Sequence, residues 1–127
     1  MIMVLVVEDD PGVRFFYKQV IELNNFELVG MAEDGEEAVE IFKSLPVKPD
    51  VILMDHRMPL KSGLDASREI LNMNGSVKII FATADHSIEE EAREIGAHAV
   101  IDKPFTVDVL VKKIRNACKE KDTVDEE

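Results

Sequence analysis

"VILMDHRMP", residues 51–59, sets four apolar residues directly against an aspartate, a histidine and an arginine. Val51, Ile52, Leu53 and Met54 form an unbroken apolar run of strand length, the pattern of a strand covered by helices on both faces. Such a strand belongs to a parallel sheet built from βα units. Asp55 ends the run, and a carboxylate at the end of a buried strand loses hydration that another group must offset.

Outward from this stretch the pattern repeats. Strand candidates at 3–7, 26–30, 78–82 and 99–101 alternate with helical segments, so five βα units fit the chain. Asp10 before Pro11 places an N-cap residue ahead of a proline at the first helical position, and Val13, Phe16, Tyr17, Val20 and Asn24 follow at helical spacing. Asp34 with Glu37, and Ser87 with Glu90, have capping-box spacing. The stripe Ala38, Ile41, Phe42, Leu45 and, after Thr106, the stripe Val107, Leu110, Val111, Ile114 predict buried helix faces. Gly96, just past Ile95, suits a left-handed helix stop.

A chain of 127 residues with 46% hydrophobic content fits one domain with a sizeable core. That domain is expected over 1–119, followed by a charged, frayed tail at 120–127. The formal charge of −11, with no cluster of Lys and Arg, argues against direct binding to nucleic acid or to anionic membrane surfaces. Residues 1–7 are too short to cross a membrane and lack the basic flank and cleavage site of a signal peptide, so no membrane insertion is expected. The single cysteine, Cys118, excludes an internal disulfide, suits a cytoplasmic location, and reads as a small core residue.

Four strand ends carry polar groups that a structural role does not require. Glu8, Asp9 and Asp10 follow the first strand, Asp55 ends the third, Thr83 follows the fourth and Lys103 the fifth. In an open doubly wound sheet, ligands bind beyond the carboxyl ends of the strands where the winding reverses. If the first and third strands are neighbours there, Asp9 and Asp55 converge, while Asp10 is accounted for as a helix cap. Oxygen ligands without a Cys or His pair favour Mg²⁺ over zinc. His56, His86 and His98 lack metal-ligand spacing and read as loop or surface residues. The first βα turn, EDDPG, is no glycine-rich cradle, which disfavours phosphate binding without a metal. With Mg²⁺, with Lys103 as a second cation and with Thr83 as a hydroxyl donor, a carboxylate can act as nucleophile toward phosphorus.

As a set, "VLVVEDDPGVR" (4–14), "PDVILMDHRMPLKSG" (49–63), "FATA" (81–84) and "AVIDKPF" (99–105) resemble the motifs of response-regulator receiver domains of two-component signalling, in particular chemotaxis-type single-domain receivers. The resemblance implies a flavodoxin-like (βα)5 fold, doubly wound, with a five-stranded parallel sheet in the order 2-1-3-4-5. It implies that Asp55 accepts a phosphoryl group from the phosphohistidine of a sensor histidine kinase or histidine phosphotransfer protein. A surface that binds a downstream protein target then switches, and the phosphoryl group is lost slowly by autodephosphorylation. On this view the chain catalyses its own modification but does not turn over a small substrate. Asp9 and Asp55 match direct Mg²⁺ ligands, Glu8 a ligand through water, and the main-chain carbonyl of Arg57 the third protein ligand. Thr83 and Lys103 match the pair that hold the phosphoryl oxygens, and the bond from Lys103 to Pro104 is implied to be cis.

Departures from the family pattern sharpen the expectation. Where the family usually carries a switch aromatic, three residues before the lysine, this chain has Val100, with one χ1 torsion and little bulk to swing. Output is therefore expected to depend on Thr83 and on the loop and helix around 87–95. Arg57 and Asp85 stand two residues after Asp55 and Thr83, where they could pair across the pocket mouth and obstruct water, or where Arg57 could contact the phosphoryl group itself. The expected partner surface is the fourth helix, fifth strand and fifth helix, with Val109 a candidate contact. Two alternatives differ in class. A phosphatase of the haloacid dehalogenase type needs a second acid where Arg57 stands, and a degenerate receiver acting only as an interaction module would not need Asp9, Asp55, Thr83 and Lys103 together.

Overall fold

In the computed structural model, which describes residues 1–119, the apolar runs become five parallel strands: β1 (Met3–Val7), β2 (Glu27–Ala32), β3 (Val51–Met54), β4 (Lys78–Thr83) and β5 (Ala99–Asp102). They lie in the order β2-β1-β3-β4-β5, as the resemblance implied. The helices are α1 (Pro11–Leu23), α2 (Gly35–Ser44), α3 (Gly63–Met73), α4 (Glu89–Glu94) and α5 (Val107–Ala117), with a 3₁₀ turn at His86–Ile88 leading into α4. The expected tail at 120–127 lies outside the described residues.

The unbroken apolar strands conceal a strict alternation, because successive side chains leave a strand on opposite faces. Val4, Val6, Val51, Leu53, Ile80 and Ala82 point into a core closed by α1 and α5. Leu5, Val7, Ile52, Met54, Ile79 and Phe81 point into a second core closed by α2, α3 and α4. Helices on both faces are what allow β3 to be apolar at every position, and all four of its residues are buried.

Helix ends follow the sequence closely, with one exception. Asp10 caps α1 by accepting from the backbone N–H groups of Gly12 and Val13, and Asp34 caps α2 by accepting from Glu37. Gly96 takes a φ of 99° and its N–H closes on the Arg93 carbonyl, ending α4. Ser87, however, caps nothing: Asp85 takes that role, accepting from the Ser87 N–H, and α4 begins after the 3₁₀ turn without a side-chain cap. The Asp85 carboxylate accepts from both the Ser87 N–H and the Ser87 hydroxyl, so the serine is held by the cap instead of serving as one.

Two stripes are also wider in the sequence than in the fold. Phe16 and Val107 are 36% and 41% exposed, so each lies at the margin of its helix's buried face. Cys118 is buried in the α1/α5 core, as expected of a small apolar residue.

Ser67 on α3 is completely buried and its Oγ has no hydrogen-bond partner among the described residues. An unpaired buried hydroxyl costs desolvation with no return. Ser67→Ala is therefore expected to leave stability unchanged or raise it by up to about 1 kcal/mol, read from the urea midpoint; a clear fall would mean that the hydroxyl has a bonded partner in solution.

Candidate functional site

The winding reverses between β1 and β3, which pair in register from Val4↔Val51 to Val7↔Met54. The ladder runs on past both strands: the Asp55 N–H donates to the Val7 carbonyl at 3.0 Å and the Glu8 N–H to the Ala32 carbonyl at 3.0 Å. At the other side of β4, the Lys103 N–H donates to the Thr83 carbonyl at 3.0 Å. The polar residues are thus held by sheet hydrogen bonds at the switch point rather than by flexible loops.

Glu8, Asp9 and Asp55 each bring a carboxylate oxygen within 4.8 Å of the other two. Glu8 is 2% exposed and Asp9 is exposed, so the cluster runs from the buried floor to the rim. Lys103 reaches it from β5, with Nζ 2.9 Å from Glu8 Oε1 and 3.7 Å from Asp55 Oδ1. Burial pushes both the Glu8 and the Asp55 carboxyls up from the usual carboxylate range; the Lys103 hydrogen bond to Glu8, and its charge beside Asp55, work in the opposite direction. One ammonium faces three carboxylates, so the donor set is short of positive charge. Hard, anionic oxygen ligands with residual charge to neutralise fit a cation such as Mg²⁺.

Asp55, Thr83 and Lys103 line one crevice of about 470 Å³ together with Arg57, Asp85 and His86. Thr83, 3% exposed, accepts the Asp85 N–H at 3.0 Å through Oγ1, and its own O–H can still donate. At the mouth, Arg57 donates to Asp85 Oδ2 from Nε at 3.3 Å and from Nη2 at 3.0 Å. The Ser87 hydroxyl, then Arg57 and then the Ser87 N–H hold the Asp85 carboxyl down to about 2. His86 is an exposed neighbour whose Nδ1 lies 3.1 Å from Asp102. The Lys103–Pro104 peptide is cis. Val100 stands apart from the crevice, partly buried against the α2/α3/α4 core and paired with Phe81 on β4. His56 is less superficial than the sequence suggests, for its Nδ1 is buried and has no hydrogen-bond partner among the described residues.

Two supports of the site have no periodic signal in the sequence. Arg14 reaches back from α1, donating from Nη1 to the Glu8 carbonyl at 2.8 Å while Nη2 pairs with Glu33 at 3.1 Å. Gly63 opens α3 pressed against the Asp55–His56 backbone, its N–H donating to the His56 carbonyl at 2.9 Å. Both letters stand inside the quoted motifs, but only the three-dimensional approach shows what they do.

An acid cluster, a strand-end aspartate, a threonine and a lysine on a 2-1-3-4-5 sheet make up the architecture of a receiver. Residues 4–115 match the family model described as the response regulator receiver domain, and the chain belongs to that family. It is 40% identical over 80% of its length to Protein CcdB of Bacillus subtilis, covering 85% of that protein. It is 36% identical over 91% of its length to the chemotaxis protein CheY of Thermotoga maritima, covering 97% of that protein. The solved structure of a response regulator receiver domain protein from Clostridium thermocellum matches with a TM-score of 0.89 at 27% identity, covering 98% of this chain and 99% of that one. The chain is therefore a receiver of two-component signalling, of the chemotaxis type by its relatives.

The raised carboxyls have a consequence for stability. The raised Glu8 and Asp55 carboxyls contribute stability that is fully present below their unfolded values, at about pH 4, and is lost as pH rises through the folded ones. The metal-free protein should accordingly lose melting temperature as pH is raised through that range. Asp55→Asn, with one of the two raised groups removed, should lose less, and parallel melting curves for the two proteins would contradict the linkage.

Proposed function

We propose that Asp55 is the phosphoryl acceptor of a two-component phosphorelay, receiving its group from the phosphohistidine of a sensor histidine kinase or a histidine phosphotransfer protein. The observation that carries this reading is the convergence of Asp55 with Glu8, Asp9 and Lys103 at the switch point, with Thr83 in the same crevice. Asp9 and Asp55 would hold Mg²⁺ directly, Glu8 through water, and the Arg57 carbonyl would complete the protein ligands. When bound, the ion supplies the positive charge that the acid cluster lacks and that a phosphoryl group requires.

The residues of the chain do the rest. A carboxylate oxygen of Asp55 forms the new bond to phosphorus as the phosphorus–nitrogen bond of the donor histidine breaks and its electron pair returns to the imidazole. Lys103, 3.7 Å from Asp55 Oδ1, pairs with a phosphoryl oxygen, and the Thr83 hydroxyl donates to another. Hydrolysis later returns the carboxylate, so the chain acts on itself rather than turning over a small substrate. Displacement of Thr83 and of the segment 87–95 transmits the change to the face of α4, β5 and α5, where Val109 is 40% exposed for a downstream protein. Val100 leaves this route without an aromatic switch. The domain is taken as 1–119, in the cytoplasm; among the described residues no helix is long and apolar enough to cross a membrane.

Lifetime is assigned to the Arg57–Asp85 pair, whose place at the mouth of the crevice would obstruct water in line with the phosphoryl bond. Arg57 is largely solvated, so the barrier is modest. Arg57→Ala and Asp85→Ala are each expected to speed autodephosphorylation by about two- to fivefold. Rates unchanged within about twofold in both variants would reject the gate.

The reading as a whole is tested by Mg²⁺-dependent labelling with acetyl phosphate or beryllofluoride. Labelling that requires the metal supports a working receiver, and its absence would leave an interaction module that never takes up phosphate.

A further inference from the structure

The crevice over Asp55 carries a second side-chain pair that the proposed transfer leaves unused. His86, the first residue of the 3₁₀ turn, lines the crevice with Asp55, Thr83 and Lys103, and its Nδ1 lies 3.1 Å from Oδ1 of Asp102, the last residue of β5. The sheet puts Asp102 there, because it is the partner of Thr83 in the β4–β5 ladder. The turn is pinned on both sides of the histidine: the Asp85 N–H donates to Thr83 Oγ1 at 3.0 Å, and the Glu89 N–H donates to the His86 carbonyl. An ionised carboxylate can only accept, so the neutral imidazole carries its proton on Nδ1 and keeps a lone pair on Nε2.

Hydrolysis of an aspartyl phosphate is speeded by a group that takes a proton from the attacking water. The other polar groups that share the crevice with His86 are committed elsewhere. Asp55, at the end of β3, carries the phosphoryl group, and Thr83 and Lys103 hold its oxygens. Arg57, from the same β3–α3 connection, is a donor only. Asp85 accepts from Arg57 and from Ser87, bonds that hold its carboxyl down to about 2 and leave it a weak base. Among the residues that line the crevice, His86 is left to accept a proton near neutral pH.

We propose that His86 is a catalytic residue of dephosphorylation, its Nε2 accepting a proton from the water that attacks the phosphoryl group on Asp55, and that Asp102 is the positioning residue that fixes the ring through Nδ1. The water oxygen forms the new bond to phosphorus as the bond from phosphorus to the Asp55 oxygen breaks, and the electron pair of that bond restores the carboxylate. The proton held on Nε2 passes to bulk water as inorganic phosphate leaves. The Arg57–Asp85 pair limits how often water reaches the phosphoryl group, and His86 acts on the water that does. This inference rests on the phosphoacceptor reading above.

The test follows the loss of the phosphoryl group by intact mass after acetyl phosphate has been removed. The His86 and Asp102 side chains are 68% and 63% exposed, so their substitution spares the core. His86→Gln should slow autodephosphorylation about tenfold, the sign opposite to that expected of Arg57→Ala. The wild-type rate should rise between about pH 5 and pH 8, and that rise should vanish in His86→Gln. Asp102→Asn should slow the reaction less, keep the rise, and add nothing in the His86→Gln background, a non-additivity that a merely structural role would not produce. A His86→Gln rate within about twofold of wild type, or a rise with pH that survives the substitution, would overturn the role of His86 and leave the receiver reading intact. A wild-type rate that falls as pH rises would do the same, since the imidazolium and not the base would then be the active form. A wild type that takes up no phosphoryl group would overturn both.

Discussion

Asp55→Asn is expected to abolish labelling by acetyl phosphate completely, not merely slow it. A carboxamide oxygen is a poor nucleophile toward phosphorus and cannot share the negative charge that a hard cation requires. Asp9 is exposed and Glu8 is already engaged by Lys103 and the Asp10 N–H, so neither is placed to substitute. The same variant should melt higher than the wild type in metal-free buffer near neutral pH, because burial and the charge of Asp9 both disfavour the Asp55 carboxylate. Addition of Mg²⁺ should raise the melting temperature of the wild type more than that of the variant, since a ligand stabilises only the state that binds it. Intact-mass measurement after acetyl phosphate treatment, alongside melting curves with and without the metal, reads both effects. Residual phosphorylation of the variant at another acid would move the nucleophile away from Asp55.

The opposing signs follow from one cause. On the reading proposed above, the site takes a metal and a phosphoryl group and is under-neutralised without them, and the fold bears that cost at the end of β3. The apolar run 51–54 made this legible from sequence, because a strand covered on both faces leaves no solvent to hydrate a terminal carboxylate. The strand order was legible too, but only through the family motifs: periodicity yields five βα units and cannot choose which strands are neighbours. What escaped the sequence was contact across distance. Nothing in the spacing of "EDDPGVR" says that the Arg14 guanidinium turns back onto the Glu8 carbonyl, or that Tyr17, read as one apolar position in a stripe, ends in a buried hydroxyl without a hydrogen-bond partner among the described residues. The Ser87 cap failed for a related reason, since Asp85 engages the same N–H from two residues away, and capping-box spacing does not rank competing acceptors.

Gly63 carries the other large expectation. The β3–α3 connection leaves Asp55, runs through residues 56–62 and returns so tightly that the first residue of α3 lies on the backbone it started from. A Cβ at position 63 would sit 2.0 Å from the Asp55 carbonyl oxygen and 2.9 Å from the His56 Cα. Both are backbone atoms, so no side-chain rotation relieves the overlap. Either α3 withdraws, breaking the Gly63 N–H bond to the His56 carbonyl, or the 55–56 peptide shifts and carries the Asp55 carboxylate with it. Gly63→Ala is therefore expected to cost about 3 to 5 kcal/mol, a large share of the roughly 5 to 15 kcal/mol that holds a domain together. Among molecules that remain folded, acetyl phosphate labelling should fall as well, because in-line attack tolerates little displacement of the nucleophile. Gly75→Ala is the control: its nearest neighbour would be the Leu71 carbonyl oxygen at 3.9 Å, ordinary contact, and its effect should stay within about 0.5 kcal/mol. Urea unfolding of the two variants separates a general sensitivity to alanine from the close approach at position 63. A Gly63→Ala protein within about 1 kcal/mol of wild type would mean that the β3–α3 connection yields without cost, and that the placement of Asp55 does not depend on it.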